Sequence, residues 1–223
     1  MNVILVVAPH PDDETLGCGG TLLRHHANGD EVHWLIVTDM STEQGFAEDL
    51  VSKRQAEIAE VASIYRFVKV HNLGHPPTKL DVVPESELVA DIGQVMKEVQ
   101  PTVVYLPFRG DAHSDHAAVF DAAASCTKWF RYPTIRRVLC YETLSETDFG
   151  LNPEAARFSP NSFMDITDHV DEKVRIAKIY EGEMGEHPFP RSEEALMSLA
   201  KVRGAACGCE AAESFMLLRE INK

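Results

Sequence analysis

Five consecutive residues, His10-Pro11-Asp12-Asp13-Glu14, bring one imidazole and three carboxylates together. A simple turn has no use for so much charge, but a hard or borderline cation does. Neutral histidine supplies nitrogen, aspartate supplies charged oxygen, and Zn²⁺ accepts both. A second group, His113-Ser114-Asp115-His116, sets two histidines three residues apart. On a helical turn such a pair shares a face, about 5–6 Å apart. One can then bind metal while the other stays free beside it. Two nitrogens and one carboxylate around zinc leave a fourth position open, the catalytic pattern. Asp115 is placed to fix a histidine tautomer from behind the ligands. Taken singly, each group reads equally well as a turn, a cap or a pair of surface histidines. Together, each beyond the end of an expected strand, they point to one metal crevice.

Hydrophobic periodicity outlines the elements that must position these groups. Apolar, β-rich runs at 3–8, 32–38, 67–73 and 103–108 read as buried strands. Between them, 15–27, 47–65 and 85–99 carry helical stripes. Continuous apolar strands separated by helices predict an α/β, Rossmann-like, mostly parallel sheet with helices on both faces. In such sheets ligands bind beyond the carboxyl ends of strands, where both groups fall. The second half is less regular. A helix over 116–130 and a strand over 136–142 are expected, then a long polar stretch over 143–162. Asp168 is expected to cap one helix, carrying Val170, Val174, Ala177 and Tyr180. Ser192 is expected to cap another that ends at Gly204, before a last strand over 214–221. The whole of 1–223 is expected to form a single domain. Residues 1–142 would be the core with the metal site, and 143–223 would complete the pocket.

Length and composition narrow the function. The chain has 223 residues, of which 44% are hydrophobic and 25% charged, which excludes disorder and rod-like repeats. At this length roughly 70% of the unfolded surface is buried. Lys and Arg number 21 against 35 Asp and Glu, a net charge of −14. That argues against nucleic acid or an anionic membrane as main partner. It leaves open a local basic pocket for a phosphorylated small molecule. Five cysteines in no regular spacing fit a reduced, cytoplasmic compartment. The N-terminus reads as a strand, not a signal peptide, and no run reaches the ~18 apolar residues of a membrane span.

Several residues have two readings. Arg54 falls among Leu50, Val51, Ile58 and Val61 on the buried stripe of its helix, so it needs a partner. That partner is Asp39 or Glu57, or a substrate hydroxyl or phosphate. Arg191, in a proline-rich loop, is a helix-entry contact or a substrate contact. Arg203 and Glu213 read as structural pairing groups. Tyr141 and Glu142 either line the crevice or pack in the core. Gly17-Cys18-Gly19-Gly20 fails as a dinucleotide fingerprint, because Leu22 stands where a third glycine is required. These glycines are read as letting the first helix approach the sheet, and Cys18 as a buried thiol. His25, His71 and His75 have no supporting pattern and are read as surface or loop residues. Trp129, Phe130 and Tyr132 offer aromatic faces for a sugar.

The run Ala8-Pro9-His10-Pro11-Asp12-Asp13-Glu14-Thr15-Leu16-Gly17-Cys18-Gly19-Gly20, with His113-Ser114-Asp115-His116, resembles the LmbE/PIG-L zinc deacetylases. The resemblance extends through Thr38-Asp39, Arg54–Glu57, Tyr141-Glu142-Thr143, Pro160-Asn161-Ser162-Phe163, Pro190-Arg191-Ser192, Arg203-Gly204 and Ala212-Glu213-Ser214-Phe215. It implies a Rossmann-like fold and hydrolysis of an N-acetyl amide on an amino sugar or its conjugate. It implies His10, Asp13 and His116 as zinc ligands and Asp12 as general base. It further implies a protonated His113 as the oxyanion's partner, Asp115 as support for a histidine, and substrate contacts by Arg54 and Arg191. Ser114 stands where the family often has proline, at a position that supplies no ligand. The donor set also suits Fe²⁺ or Mn²⁺. The implied partner is a small acetamido sugar or conjugate, and a homo-oligomer is compatible with the resemblance. Competing readings are an amidase of a thiol-sugar conjugate, a metal phosphoesterase and a non-catalytic nucleotide- or metal-binding module. The phosphoesterase would need two metals about 3.5–4 Å apart, and ligands for only one are apparent.

Overall fold

A computed structural model describes residues 1–151 and 157–222. Seven strands form one sheet in the order β3-β2-β1-β4-β5-β7-β6. Strands β1 (Val3–Ala8), β2 (Glu31–Thr38), β3 (Lys69–His75), β4 (Val103–Leu106) and β5 (Arg137–Tyr141) run parallel. Strand β7 (Ala212–Glu220) is antiparallel to β5, and β6 (Ser162–Asp165) is antiparallel to β7. Alternate residues of the central strands feed two cores, because successive side chains point to opposite faces. Ile4, Val6, Ala8, Trp34 and Ile36 pack under α1 (Asp13–Ala27), α2 (Glu48–Tyr65) and α5 (Val170–Ala177). Leu5, Val7, Leu35 and Val37 pack under α3 (Glu85–Val99) and α4 (Ser114–Ser125). Helices thus cover both faces of a mostly parallel sheet, as the apolar strands predict.

The first helix lies close to the sheet for a visible reason. A Cβ on Gly17 would stand 2.2 Å from the Tyr141 ring, and one on Gly20 would stand 2.7 Å from Ile166. The glycines serve packing, as expected, and Cys18 beneath them is buried.

Some boundaries differ from the sequence reading. Helix α4 starts two residues earlier than expected and stops at Ser125 rather than 130. The hydroxyls of Ser125 and Thr127 donate to the carbonyls of Ala122 and Ala124, competing with continuation of the helix. Ser192 caps α6 (Glu193–Cys207), accepting the amide of Ala195. That helix runs past Gly204 and ends at Gly208, whose φ of 85° is the left-handed cap conformation. Gly204 instead lies against backbone, where a Cβ would meet the Cys209 carbonyl at 2.6 Å. His169, not Asp168, occupies the cap position of α5. Strand β6 was not expected, being three half-buried residues and an exposed Asp165 with no telling alternation. Leu50 is exposed, so the buried stripe of α2 starts at Arg54. His25, His71 and His75 are buried, not surface residues; His25, for instance, bonds Asp30 and Tyr105. Part of the polar stretch, 152–156, lies outside the described residues.

Candidate active site

Strands β1 and β4 are neighbours, and the chain leaves them toward opposite sides of the sheet. This is the switch point at which open α/β sheets form a crevice. His10 and Asp13 follow β1, and His113 through His116 follow β4, so both motifs open into it. Asp12 has a φ of 142°, a conformation uncommon for a residue with a Cβ. Its amide donates to Glu14 Oε2, and its carbonyl accepts the amides of Thr15 and Leu16. Glu14 therefore shapes the turn. It is fully buried, with Thr15 and Tyr180 hydroxyls on Oε1, and burial pushes its carboxyl up to about 7.

Three donor atoms converge here. His10 Nδ1 and His116 Nε2 each lie 3.4 Å from Asp13 Oδ2. Ligands about 2.0–2.1 Å from a tetrahedral zinc stand roughly 3.3–3.4 Å apart, so the spacing fits that ion. Asp13 Oδ1 is buried with no hydrogen-bond partner, an acceptor that a cation would satisfy. The far nitrogen of each histidine meets a carboxylate: His10 Nε2 with Asp115 Oδ2 at 3.0 Å, and His116 Nδ1 with Asp111 Oδ2 at 2.7 Å. Such pairs set the tautomer and orientation of metal-binding imidazoles. Asp115 also accepts the backbone amides of Thr78 and Leu80, so its oxygens are committed to positioning. His10, Asp13 and His116 could therefore hold a metal.

The charges agree with this geometry. Burial disfavours charge on His10, but Asp115 and Asp13 outweigh it and push the imidazole up to about 9. His116 rises to about 10, because Asp13 and Asp111 together outweigh its burial. The site thus attracts positive charge. Asp12, 4% exposed, is raised well above the usual carboxylate range by burial and by Asp13, against the pull of Arg191. His113 is lowered by burial and by His10. Its Nδ1 accepts the Asp115 amide at 3.1 Å, which leaves the proton on Nε2. Nε2 is thus the His113 nitrogen that can present an N–H to the cavity.

A cavity of about 290 Å³ opens over these residues, lined by His10, Asp12, Asp39, Phe46, Arg54, His113, Glu146, Glu183 and Arg191 among others. Both candidate substrate arginines reach it. Arg54 donates to the Pro11 carbonyl at 3.0 Å and to Glu183 at 2.6 Å, and lies 3.4 Å from Glu57. Of its two expected partners, Glu57 is met and Asp39 is not; Gln55 and Asn72 donate to Asp39 instead. Arg191 donates to Asp12 Oδ2 at 2.7 Å and also to Ser145, Glu146 and Glu183. A larger groove of about 830 Å³ between the 143–151 segment and α6 contains none of His10, Asp13 and His116.

Other expectations fall away from the site. Tyr141 is a core residue whose hydroxyl donates to the Val7 carbonyl. Glu142 pairs with Arg203, and Glu213 with Lys173 and the amides of Gly20 and Thr21. Trp129, Phe130 and Tyr132 do not line the cavity; the aromatic side chain there is Phe46. Sequence reasoning missed Asp111, Glu146 and Glu183. Asp111 lies five residues before His116, a spacing with no periodic meaning in a loop. The two glutamates come from irregular segments.

The sequence profile of the GlcNAc-PI de-N-acetylase family, PIG-L, matches residues 5–127, more than half the chain and both motifs. The chain belongs to this family. It is similar to the diacetylchitobiose deacetylase of Thermococcus kodakarensis, with 27% identity over 226 residues, covering 94% of this chain and 80% of that one. It is also similar to a probable N-acetyl-α-D-glucosaminyl L-malate deacetylase of Bacillus anthracis, with 25% identity and 79% of each chain covered. Among solved structures, a conserved protein of Thermus thermophilus superposes with a TM-score of 0.78 at 28% identity, covering 100% of this chain and 97% of that one. PIG-L membership and deacetylase relatives make this chain a member of a hydrolase family. No helix among the described residues is long and apolar enough to cross a membrane.

Proposed function

We propose that this chain is a zinc-dependent N-deacetylase that releases acetate from an acetamido sugar or its conjugate. The observation that carries the reading is the convergence of His10, Asp13 and His116 beside a buried, unpaired Asp13 oxygen and next to Asp12. Zinc held there would supply Lewis acidity and lower the pKa of water toward about 7. Asp12 takes the proton from the water that attacks the acetamide carbonyl. Arg191 holds Asp12 Oδ2 and so orients the carboxylate. His113 presents Nε2–H to the carbonyl oxygen as negative charge gathers on it. Asp115 fixes both His10, through its carboxylate, and His113, through its amide. Once protonated, Asp12 is the acid that serves the departing amine. The products are acetate and a free amine. Residues 143–223 complete the pocket, supplying Glu146, Glu183 and Arg191.

Substrate class follows the relatives: diacetylchitobiose and N-acetylglucosaminyl malate both carry an acetamido sugar. The test is acetate release from a panel of free, nucleotide-linked and thiol-linked acetamido sugars, with metal analysis of the same preparation. Chelator-sensitive release by zinc-loaded protein is expected. Bound zinc without acetate from any panel member overturns the reaction. Failure to bind zinc overturns the site.

A further inference from the structure

The two pocket arginines look like an anion trap, and their contacts say otherwise. A guanidinium captures phosphate or carboxylate by presenting two adjacent N–H groups along one edge. Arg191 has no such edge free. Its Nε donates to Ser145 Oγ at 2.6 Å, its Nη1 to Asp12 at 2.7 Å and Glu183 at 3.3 Å, and its Nη2 to Glu146 at 3.1 Å. Four of its five donors are committed. Arg54 is held likewise: Nη1 on the Pro11 carbonyl, Nη2 on Glu183 at 2.6 Å, and Nε 3.4 Å from Glu57. Glu183 bridges the two arginines, with one oxygen on each.

The balance of charge points the same way. Asp12 and Asp13 offset a divalent ion. Beyond them, Asp39, Glu146 and Glu183 face only Arg54 and Arg191 in the cavity wall. Asp39 is held by neutral donors, the amide of Met40 and the side chains of Gln55 and Asn72, and makes no ion pair among the described residues. The lining is left negative, within a chain of net charge −14. Both effects repel an anionic group and attract an ammonium.

We infer that Glu183 is a specificity determinant. By bridging Arg54 and Arg191, and with Glu57, Asp12 and Glu146 offsetting the rest of their charge, it restricts the pocket to acetamido sugars whose remaining part is neutral or cationic, such as a neighbouring amino sugar. Phosphorylated, nucleotide-linked and carboxylated conjugates are excluded. The inference rests on the deacetylase reading and adds the charge class of the substrate.

Three β-glycosides of N-acetylglucosamine that differ only in the aglycone test it: methyl, 2-aminoethyl and carboxymethyl. Each is titrated calorimetrically into the zinc-loaded protein, and acetate release is followed separately. Affinity should fall in the order aminoethyl, methyl, carboxymethyl. The ends of the series should differ by about tenfold at low ionic strength, and the gap should shrink at about 0.5 M salt. Glu183→Gln should raise affinity for the carboxymethyl glycoside by about fivefold or more and move the methyl glycoside far less, because one negative charge is removed from between the two guanidinium groups. Equal or tighter binding of the carboxymethyl glycoside by wild type overturns the inference. So does a Glu183→Gln variant that binds it no better. Ordered binding without acetate would sink the deacetylase reading and leave the charge preference standing, so the two failures are distinguishable.

Discussion

Asp111 offers the sharpest test of how the candidate site is built. It is buried, and its Oδ2 accepts from His116 Nδ1 at 2.7 Å while its Oδ1 accepts the Thr147 hydroxyl at 2.6 Å. Asp111→Asn is nearly isosteric. The amide oxygen can still accept from His116, and the hydroxyl of Thr147 can rotate to accept from the new NH₂. What is lost is the charge behind the imidazole. A hydrogen bond to a charged group contributes about 1.5–3 kcal/mol, roughly twice a neutral one. The substitution should therefore cost about 1–1.5 kcal/mol of metal binding, close to a tenfold weaker Kd. That lies at the mild end of the 10–100-fold range seen when such supporting groups are removed. The assay is competition for zinc against a chromogenic chelator, with circular dichroism to confirm the fold. Asp121→Asn is the control, since among the described residues Asp121 pairs with the exposed Arg109, away from the site. Unchanged zinc affinity would refute the argument that Asp111 tunes His116. Complete loss, matching a ligand deletion, would refute it from the other side by making Asp111 a ligand.

Four further outcomes are expected. Asp13→Ala should lose metal and turnover together; full zinc occupancy by metal analysis would remove Asp13 from the ligand set. Asp12→Asn should keep zinc and lose turnover by about 100-fold or more in steady-state acetate release, because an amide cannot take the proton; near-wild-type kcat would remove Asp12 as the base. Gly17→Ala should destabilise by about 1–3 kcal/mol, lowering Tm by roughly 2–12 °C, because the new methyl would overlap the Tyr141 ring; an unchanged Tm would show that the helix can move away. Glu14, raised to about 7 by burial, binds a proton in the folded state more tightly than in the unfolded chain. Its contribution to stability is present below its ordinary pKa and is lost as pH rises through about 7, by about 3 kcal/mol at most. Denaturant melts of wild type and Glu14→Gln should therefore diverge between about pH 4.5 and 7, with wild type losing ground; parallel curves would contradict the raised pKa.

The parts of this protein legible in its sequence are those that short-range pattern controls. Apolar strands alternating with amphipathic helices read directly as a parallel sheet covered on both faces, since each element must bury its own apolar side. The motifs from His10 to Glu14 and from His113 to His116 were visible because their donors lie within a few residues of each other. Strand ends then placed them at one crevice. Arg54 was marked as buried by its position on the helical stripe, and Ser192 as a cap by its residue type.

The tertiary structure decided which partner each charged group meets. Asp111 supports His116, Glu183 bridges Arg54 and Arg191, and Glu213 holds Lys173 and the middle of α1. None of these pairings has a periodic signature, because each joins a loop or distant segment to the site. The same holds for β6, whose four residues become a strand only because β7 offers an open edge. The reading of Arg54 and Arg191 turned on this. Their residue type alone suggests anion binding, and the carboxylates that each one meets are what the inferred charge preference of the pocket rests on. Sequence determined which groups were available for chemistry, and the packing of remote loops set which of them remained free to act.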